Sequence, residues 1–263
     1  MTSAPTSYFS HLDSTTYRPT TLTGGAWTPT EQHISPMGGL IAHAVEKFVA
    51  ARGDDGRQIS RLSIDILGVL TLDDFDVSVD VVRPGKTVEL LEVTVTSNGR
   101  AAVRARVWRL ASADTSSVAG GEPDRLPAPE TIEPWPLTSV WPGEYIQSLE
   151  LRAVRDPEPG RATAWIASRA KLVDNERVSP LAEYLALIDT TNGIAVRQSP
   201  DEWLFPNLDL TIHLHRTPSG PWVGLDTSVV FGPEGVGLTS TVLHDVDGPV
   251  GRAEQSLTLR PRT

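Results

Sequence analysis

The chain has 263 residues, of which 39% are hydrophobic and 21% charged, so it can bury a core as one large domain or as two fused small ones. It contains no cysteine, which excludes disulfides and thiolate metal sites and suits a reducing compartment. Its formal net charge of −10 argues against binding to nucleic acid or to an anionic membrane, because either surface would repel it.

The N-terminal stretch MTSAPTSYFSHLDS has neither the basic start nor the apolar run of a secretory signal. No apolar stretch of the sequence approaches the ~20 residues that a bilayer span needs. We therefore expect a cytoplasmic protein with no membrane partner.

The first predicted helix begins at SPMGGLIAHAV, residues 35–45, with Ser35 as its N-cap and a proline at the first helical position. Alternating apolar residues then predict half-buried antiparallel strands over 75–82 and 89–97. Asn98-Gly99 predicts a tight hairpin turn into a last strand, because both residues tolerate positive φ angles.

The middle of the chain, residues 111–143, is rich in Pro, Ser and Gly. This composition is typical of a linker without regular structure. We therefore predict an N-terminal unit over 1–110 and a C-terminal unit over 144–263.

The C-terminal unit repeats the order of the first. A hairpin over 146–169 precedes SPLAEYLALID, residues 179–189, which predicts a second helix after a Ser-Pro pair. Residues 207–215 alternate like a half-buried strand, and Asp247-Gly248 predicts a turn into the last strand.

Each unit is thus predicted to hold one long helix and about five antiparallel strands, which is an α+β architecture. A single sheet has one apolar face, and a helix laid across it covers that face. A sheet curled around a central helix is the hotdog fold. Two copies in one chain form a double hotdog, whose two sheets can pair side by side.

Three segments carry a family resemblance. Residues 203–261 (WLFPNLDLTIHLHR to SLTLRP) resemble the C-terminal half of double-hotdog acyl-CoA thioesterases, the acyl-CoA thioesterase II-like group. Residues 171–194 are similar to the second central helix of that family and its approach, while GGLIAHAV and residues 81–108 are similar to its first half. The resemblance implies hydrolysis of fatty acyl-CoA to acid and free CoA, with an Asp, a Thr or Ser, and a Gln holding the attacking water.

Three polar residues are predicted to face the interior of the second unit, and the resemblance gives them catalytic roles. On a helical wheel Asp189 falls in the apolar sector beside Leu185, near the helix C-terminus, where the helix dipole disfavours an anion. Gln255 shares its strand face with Leu257, and Thr227 lies on an apolar strand face as well. Burying unpaired polar groups is costly, so we expect these side chains to meet one another or water.

The repeat predicts that only one unit carries this site. At the spacing of Asp189 from its Ser-Pro pair the first unit has Val45, and at the spacing of Gln255 from its turn it has Arg106. Structural alternatives stay open, because Asp189 could be a helix cap or a salt-bridge partner and Gln255 a buried structural amide.

The hydroxyl is the least certain member. A shift of one residue in register would replace Thr227 by Ser228, and the hydroxyl of the family could also fall at Val229, which would leave it absent.

Substrate-binding residues are predicted from glycine and from charge. Gly38 and Gly39 could let an acyl chain or pantetheine approach the helix backbone, although tight packing explains them equally well. CoA is strongly anionic, so the acidic chain needs a local basic patch, for which the candidates are His215 with Arg216, Arg252 and Arg260.

No cofactor or metal is expected. His213 and His215 project to one strand face but lack an evident third ligand. Residues 232–238 (GPEGVGL) predict a hairpin loop rather than a dinucleotide fingerprint, and no G-x-S-x-G serine-hydrolase motif occurs.

Two other functions compete with hydrolysis. The first is a non-catalytic double hotdog that binds acyl-CoA or lipid. The second is a hydratase or dehydratase, which would use a carboxylate–His pair, but the sequence shows no suitable Asp and His near one helix N-terminus. Acyl chain length depends on how the tunnel is blocked. The exposed face of residues 207–215 predicts a homodimer.

Overall fold

The structure is a computed structural model that describes residues 4–25, 27–28, 30–53 and 56–262, with the backbone alone at residue 139. The helices are α1 (Ile34–Ala51), α2 (Glu144–Gln147), α3 (Pro180–Leu185) and α4 (Thr191–Ile194). The strands are β1 (Ser7–His11), β2 (Thr16–Pro19), β3 (Arg57–Ile66), β4 (Phe75–Arg83), β5 (Val88–Ser97), β6 (Arg100–Ala111), β7 (Leu149–Ala153), β8 (Arg161–Ser168), β9 (Lys171–Val173), β10 (Trp203–Leu204), β11 (Asp209–Leu214), β12 (Val223–Phe231), β13 (Val236–Asp245), β14 (Gly248–Thr258) and β15 (Arg260–Pro261).

One large sheet contains thirteen of these strands in the order β7-β8-β12-β13-β14-β11-β3-β6-β5-β4-β2-β1-β9. Adjacent strands in this sheet are antiparallel, except that β1 and β9 are parallel. The two units join edge to edge where β11 pairs with β3. The helices α1 and α3 pack against each other inside this sheet, so the fold is the α+β double hotdog that the sequence predicts.

The predicted hairpins form, whereas several strands are not foreseen. Asn98 (φ 51°) and Gly99 (φ 73°) join β5 to β6, and Gly248 (φ 130°) opens β14 after the second turn. The N-terminal strands β1 and β2 and the parallel pairing of β9 with β1 lie outside the predicted pattern. The homodimer predicted through β11 stays a prediction.

The helix α1 begins one residue before Ser35, which corrects the predicted N-cap. His33 has extended backbone (φ −68°, ψ 132°), and its Nδ1 accepts the N–H of Ser35 over 3.1 Å. Pro36 is therefore the third helical residue, a position where its missing N–H costs no helical hydrogen bond. The shift places an imidazole at the N-terminus of the longest helix.

The second helix is shorter than predicted, because it breaks after α3. A single 3-10 turn over Ile188–Thr190 and the short α4 follow α3. Leu187 keeps a right-handed backbone, but its φ of −112° departs from the regular helical value of about −63°. The Thr-Thr-Asn-Gly run after Asp189 has low helix propensity. Ser179 does cap α3, since its side chain accepts the N–H of Ala182 over 3.1 Å. The break moves Asp189 from the end of a long helix to the first turn of a new one.

Gly38 and Gly39 allow α1 to approach α3 closely. A Cβ on Gly39 would lie 2.5 Å from the carbonyl oxygen of Ala182 and 2.6 Å from the Cβ of Ala186. A Cβ on Gly38 would lie 3.0 Å from the carbonyl oxygen of Leu185. Helix packing therefore accounts for both glycines, and this contact brings the start of α1 near the segment after α3.

Residues 112–143 connect β6 to α2 with three single-turn 3-10 helices. The segment packs against the second unit through the indole of Trp141, whose Nε1 donates to the carbonyl oxygen of Gly193 over 2.8 Å. Trp165 on β8 donates to the carbonyl oxygen of Pro127 over 2.8 Å. The unit boundaries drawn from the sequence stay a prediction.

Across the part of the chain that the structure describes, we find no helix with the length and apolar character required for a membrane crossing.

Candidate active site

Asp189 lies buried between the helices and the sheet, with its side chain bonded to two amides. Its Oδ1 accepts a hydrogen bond of 2.7 Å from Nε2 of Gln255 and one of 2.8 Å from Nδ2 of Asn207. Among the described residues none donates to Oδ2. Two amides therefore hold one carboxylate oxygen, whereas the other accepts no hydrogen bond from the described residues.

Gln255 is oriented by a hydroxyl from the segment that carries Asp189. Its side chain on β14 is 1% exposed, and its Oε1 accepts the hydroxyl of Thr191 over 2.8 Å. A hydroxyl donating to Oε1 fixes which end of the amide faces Asp189. The sequence prediction that Asp189 and Gln255 meet in the interior thus agrees with this geometry, while their catalytic roles remain to be tested.

Asn207 is the partner that the sequence did not reveal. It stands just before β11, and its Nδ2 bridges Asp189 and the carbonyl oxygen of Asp209, the latter over 3.0 Å. The site is thus a carboxylate held by two carboxamides. The only sequence signal was an Asn at the start of an alternating strand, which is equally typical of a turn.

Burial raises the pKa of Asp189 to about 7, although the hydrogen bonds from Asn207 and Gln255 oppose the rise. The loss of solvation of the carboxylate outweighs two donors because both are neutral amides without a positive charge. A carboxyl group with a pKa near neutrality can exchange a proton at ordinary pH, which is the property of a general base.

His33 faces Asp189 from the first unit. Its Nδ1 is 3.8 Å from Oδ2 of Asp189, and its ring stacks on Tyr145 at a centroid distance of 4.2 Å. Burial lowers the pKa of His33 to about 3, so the imidazole is neutral at ordinary pH and the contact is no ion pair. The structure thereby overturns the expectation that no Asp and His come together near a helix N-terminus.

Two cavities meet at this site. The larger, about 380 Å³, has apolar walls and reaches His33, Asp189 and Asn207. Its apolar lining consists of Trp27, Ile34, Ile66, Leu67, Val69, Leu70, Pro206 and Leu208. The smaller, about 40 Å³, shares His33, Asp189 and Asn207 and extends towards Trp141. A small molecule can therefore reach Oδ2 of Asp189 from an apolar chamber.

Thr227 is not brought to Asp189. Its hydroxyl lies 3.0 Å from that of Thr241, and no hydrogen bond joins it or Ser228 to Asp189 or Gln255 among the described residues. In the sheet register Gln255 lies beside Thr239, and Thr239 lies beside Val229 on β12. On β12 the residue level with Gln255 is therefore Val229, which carries no hydroxyl.

Arg216 is not positioned at the cavity either. Its guanidinium forms a pair with Asp245, with Nη1 at 2.6 Å from Oδ2, and it also donates to the carbonyl oxygens of Gly248 and Pro249. Asp245 therefore neutralises the guanidinium of Arg216, which lines neither of the two cavities at Asp189. Gly38 and Gly39 line neither of the two cavities that contain Asp189.

Among its described residues, the first unit shows no matching group of polar residues at the positions that the repeat compares. Thr211 on β11 pairs with Glu254 on one side and with Ser63 on the other, and Ser63 pairs with Arg106. Arg106, which the sequence spacing places at the position of Gln255, is exposed on β6, and its two neighbours Ala105 and Val107 are buried and apolar. Val45, opposite Asp189 in the repeat, is buried and apolar.

The fold is that of a double hotdog, with a buried carboxylate between its helices and its sheet. The family described as the acyl-CoA thioesterase N-terminal domain matches residues 23–110, and the one described as the acyl-CoA thioesterase C-terminal domain matches residues 123–259. The chain therefore belongs to the acyl-CoA thioesterase family.

Several solved structures share the fold. A hot dog fold protein from Alicyclobacillus acidocaldarius has a TM-score of 0.73 at 13% identity, over 96% of each chain. The acyl-CoA thioesterase II TesB2 from Mycobacterium marinum has a TM-score of 0.64 at 15% identity, over 97% of this chain and 96% of that one. A dehydratase domain from the CurF module of the curacin polyketide synthase gives 0.52 at 14%, over 85% and 84%. Curated proteins gave no match.

Proposed function

We propose that the protein hydrolyses acyl-CoA thioesters to a carboxylic acid and free CoA, with Asp189 as the general base. The observation that supports this most is the asymmetry of the Asp189 carboxylate. Two amides hold Oδ1, whereas Oδ2 faces the cavities with no donor from the described residues. A water bound to Oδ2 would be ready to lose a proton as it attacks a thioester carbonyl.

The other residues of the site position the base. Gln255 and Asn207 hold the carboxylate plane, and Thr191 holds the amide of Gln255. A fixed base and a fixed water shorten the search for a reactive geometry, which is one of the larger contributions to enzymatic rates. The resemblance assigns a hydroxyl to this group, and here the carboxamide of Asn207 takes the third place beside the carboxylate.

The substrate follows from the cavity walls. The 380 Å³ cavity is mainly apolar and fits an acyl group or the pantetheine arm. Its described walls contain no Lys or Arg, so the phosphates of CoA would lie outside it.

A thiol-release assay tests the proposal. The wild-type protein is incubated with acyl-CoAs of two to sixteen carbons, roughly the range of common fatty acyl groups, and free thiol is measured. We expect turnover well above the uncatalysed rate on part of this series. If the protein binds acyl-CoA but hydrolyses no member of the series, it is a non-catalytic double hotdog instead.

The contact of His33 with Asp189 favours a second candidate, hydration of an enoyl thioester. Hotdog hydratases and dehydratases use a carboxylate–His pair, and a dehydratase domain shares this fold. However, Nδ1 of His33 accepts the N–H of Ser35, so the neutral ring presents a donor rather than a base. Loss of enoyl absorbance without thiol release would select the hydratase.

A further inference from the structure

Within the proposed hydrolysis, we infer that the Nε2–H of His33 donates a hydrogen bond to the carbonyl oxygen of the thioester and stabilises the oxyanion that develops there. The inference rests on the proposed function, since it assigns a group to the same reaction. It adds a residue of the first unit to a site whose other members come from the second.

The tautomer of His33 is set by its place at the start of α1. Nδ1 accepts the N–H of Ser35 over 3.1 Å, so a neutral ring carries its proton on Nε2. No described residue accepts from Nε2, and this atom is not among the fully buried polar atoms that lack a partner. The Nε2–H is therefore not fully enclosed by the protein and can donate to a molecule in the cavities that His33 lines.

The ring is held beside the reacting group. His33 lines both cavities, it stacks on Tyr145, and its Nδ1 lies 3.8 Å from Oδ2 of Asp189. A thioester whose carbonyl carbon faces a water on Oδ2 would present its carbonyl oxygen to the neighbouring wall of the cavity. His33 is a polar donor on that wall.

The start of α1 offers few other donors. The Ser35 N–H is already bonded to His33, and Pro36 has no N–H. The backbone amides that often form an oxyanion hole at a helix N-terminus are thus partly used or missing. A neutral imidazole is a suitable replacement, because it donates without adding a positive charge that would suppress the basicity of Asp189.

The step balances as follows. The water oxygen forms a bond to the carbonyl carbon, its proton moves to Oδ2 of Asp189, and the C=O π electrons move to the oxygen that Nε2–H stabilises. The C=O bond then re-forms, the C–S bond breaks, and the thiolate takes the proton from Asp189. The products are the acid and free CoA, and His33 keeps its proton throughout.

Two substitutions separate the donor from the helix cap. In His33→Asn the amide oxygen can occupy the place of Nδ1, so the cap is kept while the distant donor is lost. In His33→Gln the amide nitrogen can occupy the place of Nε2, so the donor is kept while the cap is lost. We measure kcat and KM by thiol release on the best wild-type acyl-CoA, together with Tm.

We expect His33→Asn to lower kcat by ~10²–10³-fold, the usual effect of removing one oxyanion donor, with KM and Tm near the wild-type values. His33→Gln should keep kcat within ~10-fold of the wild-type value but lower Tm, because the helix cap is lost. A wild-type kcat in His33→Asn, or equal losses of kcat in both variants, would overturn the inference while leaving the hydrolysis intact. A wild type that hydrolyses no acyl-CoA would overturn the proposed function and this inference with it.

Discussion

The amide of Gln255 donates a hydrogen bond of 2.7 Å to Oδ1 of Asp189, although 66 positions separate the two residues in the chain. This bond ties the last long strand of the sheet to the turn that follows α3. The hydroxyl of Thr191 supports it from the other side of the amide. Asp189, Gln255 and Thr191 therefore form one hydrogen-bonded group.

The rate of hydrolysis should depend on pH through Asp189 alone. The base must be ionised, so kcat/KM should rise with pH through a midpoint near 7 and level off above it. Asn207 lowers the pKa of Asp189, so Asn207→Ala should move the midpoint to higher pH. A thiol-release profile from pH 5 to 9 measures both; a flat wild-type profile would contradict a base with a raised pKa.

Asp189→Asn should stabilise the fold at alkaline pH. The folded pKa of about 7 exceeds that of an unfolded Asp, so between pH 4 and 7 the folded state binds more protons, and the free energy of unfolding falls as pH rises. The free energy of unfolding of the wild type falls by on the order of 4 kcal/mol in this way, and the fall is complete above pH 7. Denaturation at pH 4.5 and pH 8 measures the gain in the free energy of unfolding of the variant over the wild type, which should be larger at pH 8. A gain that does not depend on pH would contradict the raised pKa of Asp189.

Thr191→Val should weaken both stability and turnover. It leaves Oε1 of Gln255 buried without a donor, which costs about 1–3 kcal/mol, and it frees the amide to rotate. Thr239→Val is the matched control, because Oγ1 of Thr239 is buried without a partner next to Gln255 in the sheet, so its loss should be neutral or stabilising. The denaturant midpoint and kcat are measured for both variants. Equal changes in the two variants would rule out a role for Thr191 in holding Gln255.

Gly39→Ala should destabilise the protein more than Gly38→Ala. The added methyl of the first would press into the backbone of Ala182 at 2.5 Å, whereas that of the second meets Leu185 at 3.0 Å. Overpacking of this kind costs about 1–3 kcal/mol. Thermal melts give the order, and KM for acyl-CoA in Gly38→Ala should stay unchanged. A raised KM at an unchanged Tm would instead place these glycines against the substrate.

The architecture could be predicted from the sequence because the strands, turns and helix starts depend on local residue patterns. Strand alternation, the two hairpin turns and the capped start of α3 each follow from a few neighbouring residues. The inward position of Asp189 was also foreseen, yet the helical wheel behind it assumed a continuous helix. The helix ends before Leu187, and Asp189 lies buried in the 3-10 turn that follows.

The rest of the site depended on distances across the sheet that spacing cannot give. The register of β12 against β13 and of β13 against β14 decides which residue of β12 lies level with Gln255. That residue is Val229, and Thr227 lies beside Thr241 instead. Asn207 and His33 resemble ordinary turn and cap residues in the sequence. Only the packing of α1 against α3 brings His33 within 3.8 Å of Asp189.

The central claim is that Asp189 activates the water that cleaves the thioester, and it is tested most directly by kcat for Asp189→Asn on acyl-CoA at pH 8. Thr227→Val serves as the control, since its hydroxyl contacts only Thr241 among the described side chains. The variant without the carboxylate should lose ~10²–10⁴-fold in kcat, while the control keeps the wild-type rate. Full turnover in Asp189→Asn would show that the base lies elsewhere.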